Sequence, residues 1–136
     1  MKNTKELIDK IRRRQKSDIS FLEDKDFECP KIQYFLADIL RDHQMSKAEY
    51  IVRMNLERSY GYQMLNGLRK PAREVLIRTA VLFHFNLEET QRLLKIGNRE
   101  VLYPRIKKDA IAIFAIEKGL PLSEYQELVE RYEEGI

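Results

Sequence analysis

The stretch MSKAEYIVRMNLERSYGYQMLNGLRKP, from Met45 to Pro71, constrains this chain more than any other part of it. Ser46 followed by Glu49 has the capping-box spacing that opens a helix, where a hydroxyl accepts from the third backbone N–H and the acid reaches back. Ala48, Ile51, Val52 and Met54 give that helix a short apolar face. Asn55 stands where the chain must turn, and Asn tolerates left-handed backbone better than most residues. A second, amphipathic helix then runs from Glu57 to Asn66 and stops at Gly67. Two short helices joined by so tight a turn make a helix-turn-helix.

These residues resemble the Xre or λ-repressor-like helix-turn-helix family. Met45, Ser46, Lys47 and Glu49 match the way that family opens its second helix. Asn55 and Leu56 stand at its turn, where a Gly and an apolar residue are usual. Met64, Leu65, Asn66, Gly67, Leu68, Arg69, Lys70 and Pro71 match the end of its recognition helix and the basic stretch beyond it. The likeness extends from about Ile32 to Leu94, somewhat under half the chain. The departures are specific. Position 47 is often Gln in the family and is Lys here. The recognition helix usually starts on Ser or Thr, and here it starts on Glu57, a poorer cap. Many members bury an Arg and a Glu at positions 40 and 65, where this chain has Leu40 and Leu65. Replacing a buried ion pair by two apolar residues is often neutral or stabilising, so the paired change argues for an intact fold. Gly61, inside the recognition helix, costs roughly 1 kcal/mol relative to Ala. Its missing side chain either admits a partner backbone or relieves crowding against a neighbouring helix.

The resemblance implies an all-α protein. It places a five-helix λ-repressor-like helix-turn-helix domain at residues 31–98, with a helical, basic-then-acidic segment at 1–30 before it and a helical hairpin at 99–136 after it. Its implied function is a bacterial, Xre-type, sequence-specific transcriptional regulator that places its recognition helix, about residues 57–66, in the major groove of double-stranded DNA as a homodimer. Arg58, Ser59, Tyr62 and Gln63 match the family's base-contacting positions. Lys47, Asn66, Arg69, Lys70 and Arg73 match its phosphate-contacting ones. Arg suits guanine and Gln suits adenine, each through two hydrogen bonds. Tyr60 falls where core or hinge packing is expected instead.

Charge supports a localised rather than a global interaction surface. Formal net charge is only +3 over 136 residues. Residues 1–16 carry seven Lys or Arg against two acids, and residues 17–30 carry five acids against Lys25. Residues 57–80 carry Arg58, Arg69, Lys70, Arg73 and Arg78 against Glu57 and Glu74, so the positive excess of the folded part sits on the recognition helix and the loop after it. A phosphate-binding surface belongs there, although such a cluster also suits an ordinary solvated face. Charged residues make up 35% of the chain, above the usual share of about 25%. Few Gly, Pro and β-branched clusters argue against a β architecture. A single Cys29 excludes an internal disulfide and a Cys-rich zinc site. The absence of a long apolar run and of a signal-type N-terminus gives the expectation of a cytoplasmic chain with no membrane contact.

Elsewhere the spacing predicts a first helix from Asn3, with Leu7, Ile8 and Ile11 on one face. It ends in Arg12, Arg13, Arg14, Gln15 and Lys16, cations that suit a helix C-terminus or a basic arm. Ser20 and Glu23 predict a second short helix over about 18–26. Phe35, Leu36, Ile39 and Leu40 form the stripe of a core helix starting near Ile32. A long apolar helix follows Pro71. Asn86 and Glu89 cap another, closed by Gly97. Pro104 is expected in the first turn of a helix whose apolar run, Ala110 to Ile116, reads as buried on most sides and is stopped by Gly119. Ser123 and Gln126 are expected to cap the last helix. The resulting hairpin packs on the domain or forms a dimer interface.

An enzyme is not expected, nor any cofactor or metal. His43 and His84 are the only histidines, and both read as structural. No Gly-rich phosphate loop, metal-spaced cluster or nucleophile with a base is present. The alternative function is a non-catalytic protein-interaction adaptor, which keeps the helix-turn-helix shape and binds a protein through it, through the N-terminal segment or through the hairpin.

Overall fold

A computed structural model describes residues 4–13 and 31–134. The chain divides into two units, residues 1–30 and 31–136. Among the described residues there are eight helices and no strand.

The first unit contains α1 (Thr4–Arg12), none of whose residues is buried. Its C-terminal end is closed by Arg13, whose Nε donates to the Asp9 carbonyl at 3.2 Å. This is the helix-end role open to that basic cluster. The helix expected over 18–26, the rest of the basic run and Cys29 lie outside the described residues.

The second unit is built from α2 (Ile32–Asp42), α3 (Lys47–Arg53), α4 (Arg58–Leu65), α5 (Arg73–Leu82), α6 (Leu87–Ile96), α7 (Lys107–Lys118) and α8 (Leu122–Glu134). One apolar core runs through all of them, from Leu36 in α2 to Tyr125 in α8. Helix α5 lies at its centre and packs on α6, α7 and α8. The hairpin α7–α8 therefore shares the core of the helices before it rather than standing apart. Leu40 and Leu65 are both buried in this core.

Helix ends follow one device repeated six times. Gln44, Asn55, Gly67, His84, Asn98 and Gly119 all have positive φ, between 52° and 78°. After each, the next N–H reaches five residues back, as in Met45 to Leu40, Leu56 to Ile51 and Phe85 to Ala80. This is the Schellman closure, which satisfies the orphan carbonyls at a helix C-terminus. Asn55, Gly67 and Gly119 carry a legible signal for it. Gln44 and His84 do not, and they take the conformation because Met45 and Phe85, the residues after them, pack against the core.

Gly97 closes α6 as expected, with φ −76°, and Asn98 after it takes the left-handed conformation; a Cβ at Gly97 would overlap the Leu76 side chain. Several other expectations need correction. Pro104 lies in a turn ahead of α7, which begins at Lys107. Ser123 lies inside α8, which begins at Leu122. In the apolar run of α7, Ala112, Ala115 and Ile116 are buried, Ala110, Ile111 and Ile113 are half-buried, and Phe114 is the exception at 50% exposed. The apolar face read for α3 is also shifted. Tyr50, Ile51 and Met54 enter the core, whereas Ala48 is exposed and Val52 is 77% exposed.

Candidate nucleic-acid interface

The candidate surface consists of α3, α4 and the loop at residues 66–72. Ser46 opens α3 by accepting from the Glu49 N–H at 3.1 Å, while the Glu49 carboxylate pairs with Arg53 at 3.1 Å. At the other end of α3, Arg78 Nη1 donates to the Met54 carbonyl at 2.6 Å, a cation on a helix C-terminus. Tyr50 anchors the middle. Thr79 Oγ1 donates to the Val75 carbonyl at 2.7 Å, which leaves the Tyr50 hydroxyl to donate to Thr79 Oγ1 at 2.7 Å. Burial raises the Tyr50 hydroxyl to about 12. The Tyr50 ring stacks on Phe83, centroids 6.4 Å apart and 5° from parallel. His43 closes this cluster, with its ring 4.4 Å from that of Phe83 and Nδ1 2.8 Å from the Ile39 carbonyl.

Glu57 is a better cap than its residue type suggests. Its two carboxylate oxygens accept from Tyr60 N–H at 2.8 Å and Ser59 N–H at 2.9 Å. These backbone bonds, led by that from Tyr60, hold its carboxyl below the usual range. The N-terminus of α4 is thereby occupied by an internal anion, so phosphate affinity on this surface must come from side chains instead. Gly61 has a packing reason. A Cβ there would lie 2.6 Å from Ile51 Cγ1 and 2.9 Å from Cδ1, so its bareness sets the approach of α4 to α3. Of the two readings open in the sequence, the structure favours relief of crowding.

Helix α4 divides its residues between core and solvent. Gly61, Met64 and Leu65 are buried. Arg58, Ser59 and Gln63 are exposed and Tyr62 is half-buried, so the four base-contact candidates share one face. Arg58 sits 5.9 Å over the Tyr62 ring, and Gln63 Nε2 lies 3.4 Å from Ser59 Oγ. Of the phosphate candidates, Lys47 Nζ donates to Asn66 Oδ1 at 2.7 Å, tying the start of α3 to the end of α4. Arg69 lies 5.3 Å over the Tyr60 ring, and the Tyr60 hydroxyl accepts from the Ala72 N–H at 3.0 Å. Tyr60 is thus a strut for the basic loop, in keeping with the packing role expected of it. Lys70 is exposed.

Arg73 stands apart from this set. Its guanidinium donates to both Asp109 oxygens at 2.8 and 2.9 Å, to the Glu100 carbonyl at 2.9 Å and to the Val101 carbonyl at 3.1 Å. Four of its five N–H donors are engaged within the chain, so its assignment as a phosphate contact gives way to a structural one. Arg99, which the sequence reading passed over, holds the other end of the loop by donating to the Pro71 carbonyl at 3.0 Å. Nothing local distinguishes either arginine from a solvated one.

A groove of about 530 Å³ runs beside α3 and α4, lined by Ala48, Ile51, Val52, Asn55, Leu56, Arg58 and Tyr62. Among the described residues no group of three or more His, Cys, Asp or Glu could hold a metal ion, and no helix is long and apolar enough to cross a membrane. Comparison with protein-family models, with curated proteins and with solved structures finds no match to this chain.

Proposed function

We propose that this protein is a non-catalytic, Xre-type, sequence-specific DNA-binding regulator, with α4 entering the major groove of duplex DNA. The observation that carries this reading is the division of α4. One side is locked into the core through Gly61, Met64 and Leu65, while Arg58, Ser59, Tyr62 and Gln63 line the side turned outward. Such a helix is rigid, short enough to fit a groove, and equipped with donors and acceptors for base edges. Lys47, Arg69 and Lys70 flank it as phosphate contacts. The capped α4 N-terminus makes side chains, rather than helix backbone, the source of affinity.

Selection of the purified protein against a random duplex library, followed by titration of the enriched site at several salt concentrations, tests the reading. The expected result is an enriched motif bound with an affinity that falls steeply as salt rises.

A second reading is favoured by the groove between α3 and α4. Its rim includes Val52, which is 77% exposed, and an apolar residue there suits a protein surface better than a phosphate backbone. On that reading the same face binds a protein partner and the library yields no motif.

A further inference from the structure

A polar cavity of about 510 Å³ opens where the last turn of α6 and the segment after it meet the start of α5. Its lining is Arg73, Lys95, Asn98, Arg99, Glu100 and Val101. Hydrogen bonds and packing fix the backbone of its wall. Asn98, with φ 55°, turns the chain so that the Arg99 N–H reaches the Leu94 carbonyl at 2.8 Å. The Glu100 and Val101 carbonyls accept from Arg73 at 2.9 and 3.1 Å. Gly97 is buried against Leu76 of α5. The segment 97–101 is therefore held in place before any ligand arrives, which lowers the ordering cost of binding.

Three of the lining residues are cations. The Arg73 charge is answered by Asp109, with which it makes two hydrogen bonds. Lys95 and Arg99 have no such partner. Lys95 is exposed and makes no hydrogen bond or ion pair among the described residues. Arg99 is half-buried, and its Nε donates to the Pro71 carbonyl at 3.0 Å. That bond fixes the guanidinium and leaves both terminal nitrogens unmatched among the described residues. Their N–H groups form a planar fork that suits the oxygens of a phosphate. Lys95 adds a second cationic donor, and Asn98 offers a neutral amide in the same lining. Two features oppose an anion, and both are weak here. The carbonyls that end α6 carry partial negative charge, but those of Leu93, Leu94 and Lys95 already accept from Gly97, Arg99 and Asn98. Glu100 sets one carboxylate against the two cations, and it is exposed to solvent that screens it. What separates this cluster from an ordinary solvated face is the anchored, half-buried arginine with donors left over.

We infer that this cavity binds a phosphate group, with the Arg99 fork and the Lys95 ammonium as its donors. The inference does not depend on the DNA-binding reading. Two sources of phosphate fit: the backbone of a duplex that extends past the basic loop, whose end Arg99 holds at Pro71, and a small phosphorylated molecule. The test titrates inorganic phosphate into the full-length protein at constant ionic strength and follows the backbone amide NMR signals. Saturable shifts centred on residues 95–101 are expected. Lys95→Ala should weaken this binding by about tenfold. Glu100→Gln should tighten it by about threefold, because it removes the opposing carboxylate. Both side chains are exposed, so the melting temperature should not move. A merely structural role would not shift affinity in opposite directions in the two variants. Titration of a duplex then tells the sources apart. If the phosphate is the duplex's, Lys95→Ala lowers the slope of log K against log salt by about 0.9. If it belongs to a small molecule, that slope is unchanged while phosphate binding is weakened. The absence of saturable shifts overturns the inference, as do shifts centred on Arg69 and Lys70 instead, or a phosphate affinity indifferent to Lys95→Ala.

Discussion

Arg73 and Asp109, 36 residues apart, meet in a two-pronged ion pair at 2.8 and 2.9 Å that fastens the start of α5 to the first turn of α7. Asp109 is 1% exposed. Its second oxygen also accepts from the Tyr103 N–H at 2.9 Å. One carboxylate therefore fixes α5, α7 and the segment between α6 and α7.

Breaking this pair from the arginine side leaves a buried carboxylate without its cation, and Arg73→Ala is expected to destabilise by about 3 kcal/mol. Asp109→Asn keeps the volume and part of the hydrogen bonding, so about 1–2 kcal/mol is expected. Burial pushes the Asp109 carboxyl up, but the Arg73 hydrogen bonds, the Tyr103 N–H and the Arg73 charge together outweigh it and hold it below its ordinary value. The folded state then binds fewer protons than the unfolded one as pH falls through the usual Asp range near about 4. The pair's contribution is fully present above that range and is lost below it. Urea unfolding between neutral and acid pH should show Asp109→Asn converging on the unmodified protein as pH falls. Parallel curves would contradict this account.

Tyr50 supplies the opposite limb. Its hydroxyl, raised to about 12 by burial, contributes stability that is complete below the unfolded tyrosine value near about 10 and is lost as pH rises towards 12. Tyr125, raised to about 12 in the same way, acts in the same direction. Tyr50→Phe should cost about 1 kcal/mol at neutral pH, because Thr79 keeps its bond to Val75. Part of the alkaline loss should disappear with it, as followed by unfolding and by tyrosinate absorbance.

Gly61 and Ile51 should be strongly coupled. A methyl group at position 61 falls 2.6 Å from Ile51 Cγ1, so Gly61→Ala is expected to destabilise by about 1–2 kcal/mol despite its better helix propensity. In an Ile51→Ala background the clash is gone. There the same substitution should be neutral or stabilising by up to about 1 kcal/mol. A double-mutant cycle in urea measures the difference, and additivity would show that α4 moves to absorb the methyl group.

On the DNA-binding reading, replacing Arg58 and Gln63 together should abolish sequence preference with the melting temperature nearly unchanged, because both are exposed. Lys70→Ala should leave preference intact and reduce the slope of log K against log salt by about 0.9. Arg73→Ala should lower stability and leave the salt slope unchanged. Binding titrations at several salt concentrations, paired with melts of each variant, separate the three. Retained specificity in the Arg58/Gln63 variant would remove α4 as the reading element.

How far the sequence carries depends on the distance over which each feature is decided. Ser46, Asn86 with Glu89, Asn55, Gly67 and Gly119 act within a few residues of themselves, and the helix ends they announce are where they fall. The stripe Leu36, Ile39, Leu40 places α2 for the same reason. Glu57 misleads because cap preference is an average over residue types, and here a longer side chain folds back to reach two N–H groups. Pro104 and Ser123 mislead because each is compatible with a helix start without requiring one.

By itself, the sequence determined that the described chain is helical and where most of its helices begin and end, since these follow from local hydrogen bonding and from periodicity. Only the tertiary structure decided that Arg73 belongs to Asp109 rather than to solvent, that Gly61 is bare because of Ile51, and that the hairpin of α7 and α8 shares the core of the helices before it. Each of these depends on a partner from another element, brought close by packing of the core, and no local pattern specifies a contact of that kind.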